Sequence, residues 1–158
     1  MKIDTVSWKI ISAVQNDGRI SLKALANEVG LSLPATSERL KRLEETGIIS
    51  GYSATVLPEA LGYKVMTIIG MTTLQPNKTR LMDELKQMPE VIECLHVTGQ
   101  DSYLLRVVTR DLQHLECFVG SINQYGETRT SIVLSHPIRM RALQAFAAKK
   151  SDIFKSEG

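Results

Sequence analysis

The chain is poor in cysteine, and it has no long apolar run. Two cysteines in 158 residues, Cys94 and Cys117, give no disulfide framework and point to a reducing compartment. No stretch approaches the roughly 20 apolar residues that span a bilayer, so no membrane partner is expected. The opening MKIDTVSWKI has no apolar core of the secretory kind, and a cytoplasmic location follows as an expectation. GxSxG, a Walker loop, a dinucleotide fingerprint and HExxH are all missing, and no enzyme activity is expected. A strong charge is lacking too. The net charge is +2, and residues 1–57 hold seven Lys/Arg against six Asp/Glu. Affinity for nucleic acid would therefore come from local placement and from dimerisation. The tail 137–158, with five basic against two acidic residues, is the only clearly basic portion.

What the chain does have is an apolar content of 43%, normal for a globular protein, and a well-punctuated N-terminal third. Asp4 reads as the cap of a helix to about Asn16, with Ile3, Val6, Ile10, Ile11 and Val14 on one face and Trp8 partly off it. Asn16-Asp17-Gly18 is a turn. Ser21 caps a second helix to Val29 with Leu22, Leu25, Ala26 and Val29 inward. Gly30 allows a sharp turn, Leu31 plugs it, and Ser32 caps a third helix with Leu33 and Pro34 in its first turn. Thr36, Leu40 and Leu43 face inward, and Gly47 stands where a left-handed cap belongs. The result is a helix-turn-helix. The second helix of such a pair enters the DNA major groove, although the same shape also occurs as a plain helical core. The candidate DNA contacts are Leu33, Pro34, Ser37, Glu38, Lys41 and Arg42, with Arg39 at their flank. Ser32 and Ala35 join them at the start of that helix, and Arg19, Ser21 and Lys23 at the start of the one before.

Residues 48–57 read as extended, a wing or connecting strand, and 58–63 as a hinge. From 64 to 136 the pattern is strand (64–74), helix capped by Asn77 (to Met88), strand (91–98), strand (103–109), helix capped by Asp111 (to Ile122), strand (128–135). The fold class is α+β: a winged helix-turn-helix joined to a ferredoxin-like βαββαβ sandwich. The strands are apolar on both faces, yet two helices cover only one. The other face needs a partner, and a second copy of the sheet in a two-fold homodimer supplies it. Such a dimer suits a palindromic site on double-stranded DNA. The tail carries one stripe, Met140, Leu143 and Ala147, able to dock or swap, and then mobile residues. Cys94, His96, His114 and Cys117 make a zinc set only on paper, because the stripe Leu112, Leu115, Phe118, Val119 and Ile122 turns His114 outward.

Several runs together resemble the Lrp/AsnC family of transcription regulators: Asn16-Asp17-Gly18-Arg19, Val29-Gly30-Leu31-Ser32, Arg39-Leu40-Lys41-Arg42-Leu43-Glu44, Gly47-Ile48-Ile49-Ser50-Gly51-Tyr52, Pro89-Glu90-Val91 and Val97-Thr98-Gly99. The resemblance implies dimers through the sheets, assembled in some members into rings such as octamers. It implies no cofactor but a small-molecule effector, an amino acid or a relative of one, bound near the strand-to-strand turn. The matching positions are Thr98, Gly99, Gln100, Asp101, Ser102 and Tyr103. The family's acid before the aromatic is replaced here by Ser102, with Asp101 one place earlier. Ala24 stands where a capping-box Glu is usual. Siroheme decarboxylases share the layout, so an enzyme, or a sensor that binds no DNA, remains an alternative.

Overall fold

The computed structural model describes residues 3–146. They form two compact units: one takes in the described parts of Met1–Thr55 and Arg139–Gly158, the other Val56–Ile138.

The first unit is built from three helices, α1 (Thr5–Asn16), α2 (Leu22–Val29) and α3 (Leu33–Glu45). Each begins at the short polar side chain that the sequence offers. Asp4 accepts from the Ser7 N–H at 2.7 Å, Ser21 from Ala24 at 3.1 Å and Ser32 from Ala35 at 3.4 Å. Each removes one of the amide donors that a helix start leaves orphaned. Gly30 closes α2 at φ 74°, a left-handed conformation in which glycine carries no Cβ penalty. The core is Ile10, Ile11, Ala13, Val14, Leu25, Val29 and Leu43. Thr36 is fully buried in α3, and its hydroxyl is satisfied by donating to the Ser32 carbonyl at 2.9 Å. Leu22, expected inward, is 36% exposed; it opens α2 at the rim of the helical core, lining a surface hollow with Val14 of α1 and Leu40 of α3.

After Gly47 the chain departs from expectation. Residues 51–57 form no ladder among the described residues, and Val56 and Leu57 stay exposed. The β-rich composition is present, but the segment pairs with no described strand. Pro58–Leu61 is a single 3₁₀ turn.

The second unit is a four-stranded antiparallel sheet in the order β2-β3-β1-β4, with β1 (Val65–Thr72), β2 (Val91–His96), β3 (Tyr103–Thr109) and β4 (Glu127–Ile132). Helices α4 (Gln75–Leu85) and α5 (Leu112–Ile122) complete the βαββαβ order, and the architecture is the ferredoxin-like one. Ile69, Met71, Leu105 and Val107 from the sheet meet Leu81, Leu85, Leu115, Phe118 and Ile122 from the helices.

Some boundaries differ from the sequence reading. Helix α4 starts at Gln75 with Pro76 in its first turn and no side-chain cap, so Pro76 opens the helix, where its missing N–H costs nothing. Asn77 is already inside α4. The helix also ends earlier than Met88, which still packs on the core. Strands β2 and β4 stop at His96 and Ile132, short of Thr98 and Ser135. Leu112 is exposed, since it sits one residue after the Asp111 cap and outside the stripe. His114 does not face solvent freely: its Nε2 lies 2.9 Å from Glu90 Oε1. Among the described residues no group of three His, Cys, Asp or Glu side chains could hold a metal, and Cys94 and Cys117 are exposed free thiols. No helix there is long and apolar enough to cross a membrane. Residues 139–146 take no helical form, and Ala147 and the end of the tail lie outside the described residues.

Candidate functional site

Two regions carry chemistry. The first is the outer side of α3. Thr36, Leu40 and Leu43 are the inward residues, so the 3.6-residue period places Pro34, Ser37, Glu38, Lys41 and Arg42 opposite them, and all five are exposed. Leu33 is 46% exposed, a large apolar side chain left open at the very start of the helix. Arg19, Ser21, Lys23 and Ser32 are exposed as well, and Ala35 is half-buried. Lys41 lies 3.6 Å from Glu45 one turn on, both ends largely in solvent, a pairing weak enough to leave the ammonium available.

Arg39 behaves differently from its neighbours. Its Nη1 donates to Asp4 Oδ2 at 2.7 Å and reaches Ser7 Oγ at 3.4 Å. The same Asp4 carboxylate caps α1. The Arg39 guanidinium and then the Ser7 N–H hold the Asp4 carboxyl well below the usual carboxylate range. One surface ion pair therefore joins the start of α1 to the middle of α3, and the Arg39 guanidinium is engaged within the fold. Sequence spacing put Arg39 at the flank of the helix face, and the flank residue is the one that a neighbouring helix can claim.

On the far side, the Tyr52 hydroxyl donates to Glu44 Oε1 at 2.8 Å and ties the segment after Gly47 to the last turn of α3. Burial, and then the Glu44 carboxylate beside it, push the Tyr52 hydroxyl from 10.0 up to about 12. The folded state thus favours the neutral phenol. That contribution is whole below about pH 10 and is lost as pH climbs toward 12. A Tyr52→Phe chain is expected to show a shallower fall of Tm across that window than the parent, measured by circular dichroism melts. An equal fall in both would contradict the tie.

The second region is the turn between β2 and β3. Gly99 has φ 123°, a conformation that side-chain-bearing residues rarely adopt. Thr98, Gly99 and Gln100 are exposed, and Asp101 and Ser102 are half-buried. The turn is fastened to β1: Ser102 N–H donates to the Met71 carbonyl at 2.8 Å, and the Thr72 hydroxyl donates to the Gln100 carbonyl at 3.2 Å. Tyr103 is 9% exposed and belongs to the core, its ring 5.1 Å from that of His96. Five of the six expected positions form the turn, and Tyr103 opens β3 as its inward-pointing anchor.

Three residues that the sequence reading did not single out shape this loop. The Asp101 carboxylate is paired with Arg129 of β4, and the same guanidinium reaches the Thr72 hydroxyl at 3.4 Å. Asp101 folds over Gly70, where an added Cβ would lie 2.6 Å from its Oδ2. A glycine inside a strand otherwise made of β-branched residues and methionine is the signal that could have marked this close approach.

The comparisons agree with this division. Residues 3–50 match the family model described as winged helix-turn-helix DNA-binding, and residues 67–143 match the one described as the Lrp/AsnC ligand binding domain. The chain is 33% identical over 135 residues to the HTH-type transcriptional regulator FL11 of Pyrococcus furiosus, covering 84% of this chain and 89% of that one. Among solved structures, a transcriptional regulator from Neisseria meningitidis in complex with L-methionine superposes with a TM-score of 0.84 at 26% identity, over 90% of this chain and 96% of that one. A feast or famine regulatory protein from Mycobacterium tuberculosis, complexed with L-methionine, gives 0.81 at 31% identity, over 90% and 100%. With the N-terminal helical unit, the βαββαβ unit and the whole-length likeness in agreement, the chain belongs to the Lrp/AsnC family of transcription regulators.

Proposed function

We propose that the protein is a sequence-specific regulator of transcription, without enzyme activity, that binds a palindromic site on duplex DNA as a two-fold dimer and answers to an amino acid. The observation that supports this most directly is the exposed, unclaimed face of α3, where Ser37, Lys41 and Arg42 stand on a helix capped at Ser32. Lys41 and Arg42 serve as phosphate contacts that set register, and Ser37 and the first turn of α3 meet base edges. Arg39 positions the helix through Asp4. The work is done in the cytoplasm, where the DNA is, and dimers assemble further into a ring.

The loop Thr98–Tyr103 is the proposed effector site. The L-methionine complexes of its structural neighbours support an amino-acid ligand. Gly99 lets backbone N–H groups approach a ligand carboxylate. The Asp101 carboxylate is the partner for a ligand ammonium group, and that ammonium must compete with Arg129 for it. Effector binding is thereby linked to release of a β4 side chain. The effector biases one assembly geometry over another, and DNA affinity follows by linkage.

Selection of bound sequences from random duplex DNA, with and without a panel of amino acids and with particle mass measured alongside, tests this reading. It expects a palindromic consensus and at least one amino acid that changes mass or affinity. A protein that ignores all duplexes at low salt would end the reading. The Gly99→Val chain strains a position that wants φ near 123°, at about 1–3 kcal/mol of local cost. It is expected to lose the amino-acid response while keeping its oligomeric mass. A normal titration of that variant would refute the pocket.

A further inference from the structure

The unit that carries α3 also carries an open groove. It has a volume of about 430 Å³ and lies between α1 and the segment after Gly47, with Ile3, Trp8, Ile11 and Val14 on one side and Ile49 and Tyr52 on the other. Leu143 stands at its mouth. At the end of α1, Gln15 holds both polar groups of the Leu143 backbone: Leu143 N–H donates to Gln15 Oε1 at 2.9 Å, and Gln15 Nε2 donates to the Leu143 carbonyl at 3.1 Å. One side-chain amide thereby uses its donor and its acceptor on a single residue of extended chain, as an adjacent strand would. Around that clip the segment presents Ile138, Met140, Leu143 and Phe146, 71–99% exposed. An apolar groove and an apolar strap, each without cover, are already joined at one point.

We propose that the groove is the docking site of the chain's own segment Arg139–Phe146, clipped at Leu143 by Gln15, so that the sheet-bearing unit is fastened to the DNA-binding unit at both of its ends. The first connection is the chain through Pro58–Leu61, and the second is this strap. The strap continues from β4, which ends at Ile132 and contains Arg129, the partner of Asp101 in the effector loop. Movement of β4 on effector binding is carried along the chain to the strap and passes to α1 through the Gln15 hydrogen bonds. That consequence rests on the regulator reading, but the docking itself does not.

The experiment needs no DNA, so its failure and the failure of the regulator reading are separable. In the full chain, Gln15→Leu removes both hydrogen bonds at little change of size, and Leu143→Pro removes the N–H. Both are expected to speed amide exchange in residues 139–146, Gln15→Leu by on the order of tenfold from two lost hydrogen bonds and Leu143→Pro by less from one. Both also make Trp8, the single tryptophan of the chain, more open to acrylamide quenching. Unchanged exchange and unchanged quenching in both variants overturn the proposal. A short bismaleimide across Asn16→Cys and Gln144→Cys, exposed neighbours that leave the clip intact, with Cys94 and Cys117 replaced by serine, identifies whose strap it is. A product of single-chain mass under denaturing conditions supports it. A product of double mass overturns it in favour of a strap from a second copy.

Discussion

A chain carrying both Lys41→Ala and Arg42→Ala is expected to bind duplex DNA of every sequence more weakly, by roughly 10³–10⁴-fold for a dimer that loses four charged contacts. The dependence of log affinity on log salt should flatten by about one unit per lost side chain. The effect belongs to DNA and not to folding. Lys41 meets only Glu45, at 3.6 Å and largely in solvent, a pair worth about 0.3–0.5 kcal/mol, and both substitutions face away from Thr36, Leu40 and Leu43. The melting curve should hardly move. Arg39→Ala provides the contrast. Its guanidinium is spent on Asp4 and Ser7, so its loss lowers the melting temperature and leaves the salt slope almost intact. A double variant with an unchanged slope, or an Arg39 variant with a slope reduced as much as either single change, would mean that the wrong cations were assigned to phosphate.

Arg39 also marks where the sequence stops being informative. Caps, turns and stripes are local, and they were legible: Asp4, Ser21, Ser32 and Asp111 each begin a helix, with their side chains accepting from the third residue on. Gly30 and Gly99 take the backbone angles that only their residue type favours. The partner of a side chain across the fold is not local. That Asp4 would take Arg39, or that Arg129 would take Asp101, depends on how elements distant in sequence come to lie together, and residue type alone is silent on that. Residues 48–57 failed for a related reason, since β propensity records what a segment can do and a ladder needs a second strand. The loop Thr98–Tyr103 was proposed as the effector site through family likeness, whereas the residues packed around it, Gly70, Thr72 and Arg129, came only with the register of β1 against β3 and β4.

Leu104→Glu carries the largest expected effect on assembly. Along β1 and β3 the buried alternates Thr67, Ile69, Met71, Leu105 and Val107 point at the helices. The register then puts Met66, Ile68, Leu104 and Arg106 on the face that no helix covers, with Leu95 of β2 opposite Leu104. The charge on this face is already neutralised, Arg106 lying 3.1 Å from Glu93. What remains around Met66, Ile68 and Leu104 is an apolar surface, 47% exposed at Leu95, and a second sheet laid across it would meet Arg106 already paired. A glutamate at Leu104 would place one uncompensated carboxylate between the two sheets. The cost of an unpaired buried charge, about 3–5 kcal/mol, weakens association by on the order of 10³-fold, and symmetry presents the charge twice. Within one protomer the same side chain is only half-buried and can reach water, so the fold should survive. Native mass spectrometry is then expected to find the variant as a folded single chain at concentrations where the parent is paired. Its DNA binding should drop to that of an isolated half-site, because nothing would hold two α3 helices at the spacing of a palindrome. A variant that keeps the parent's mass would show that the pairing surface lies elsewhere on the chain.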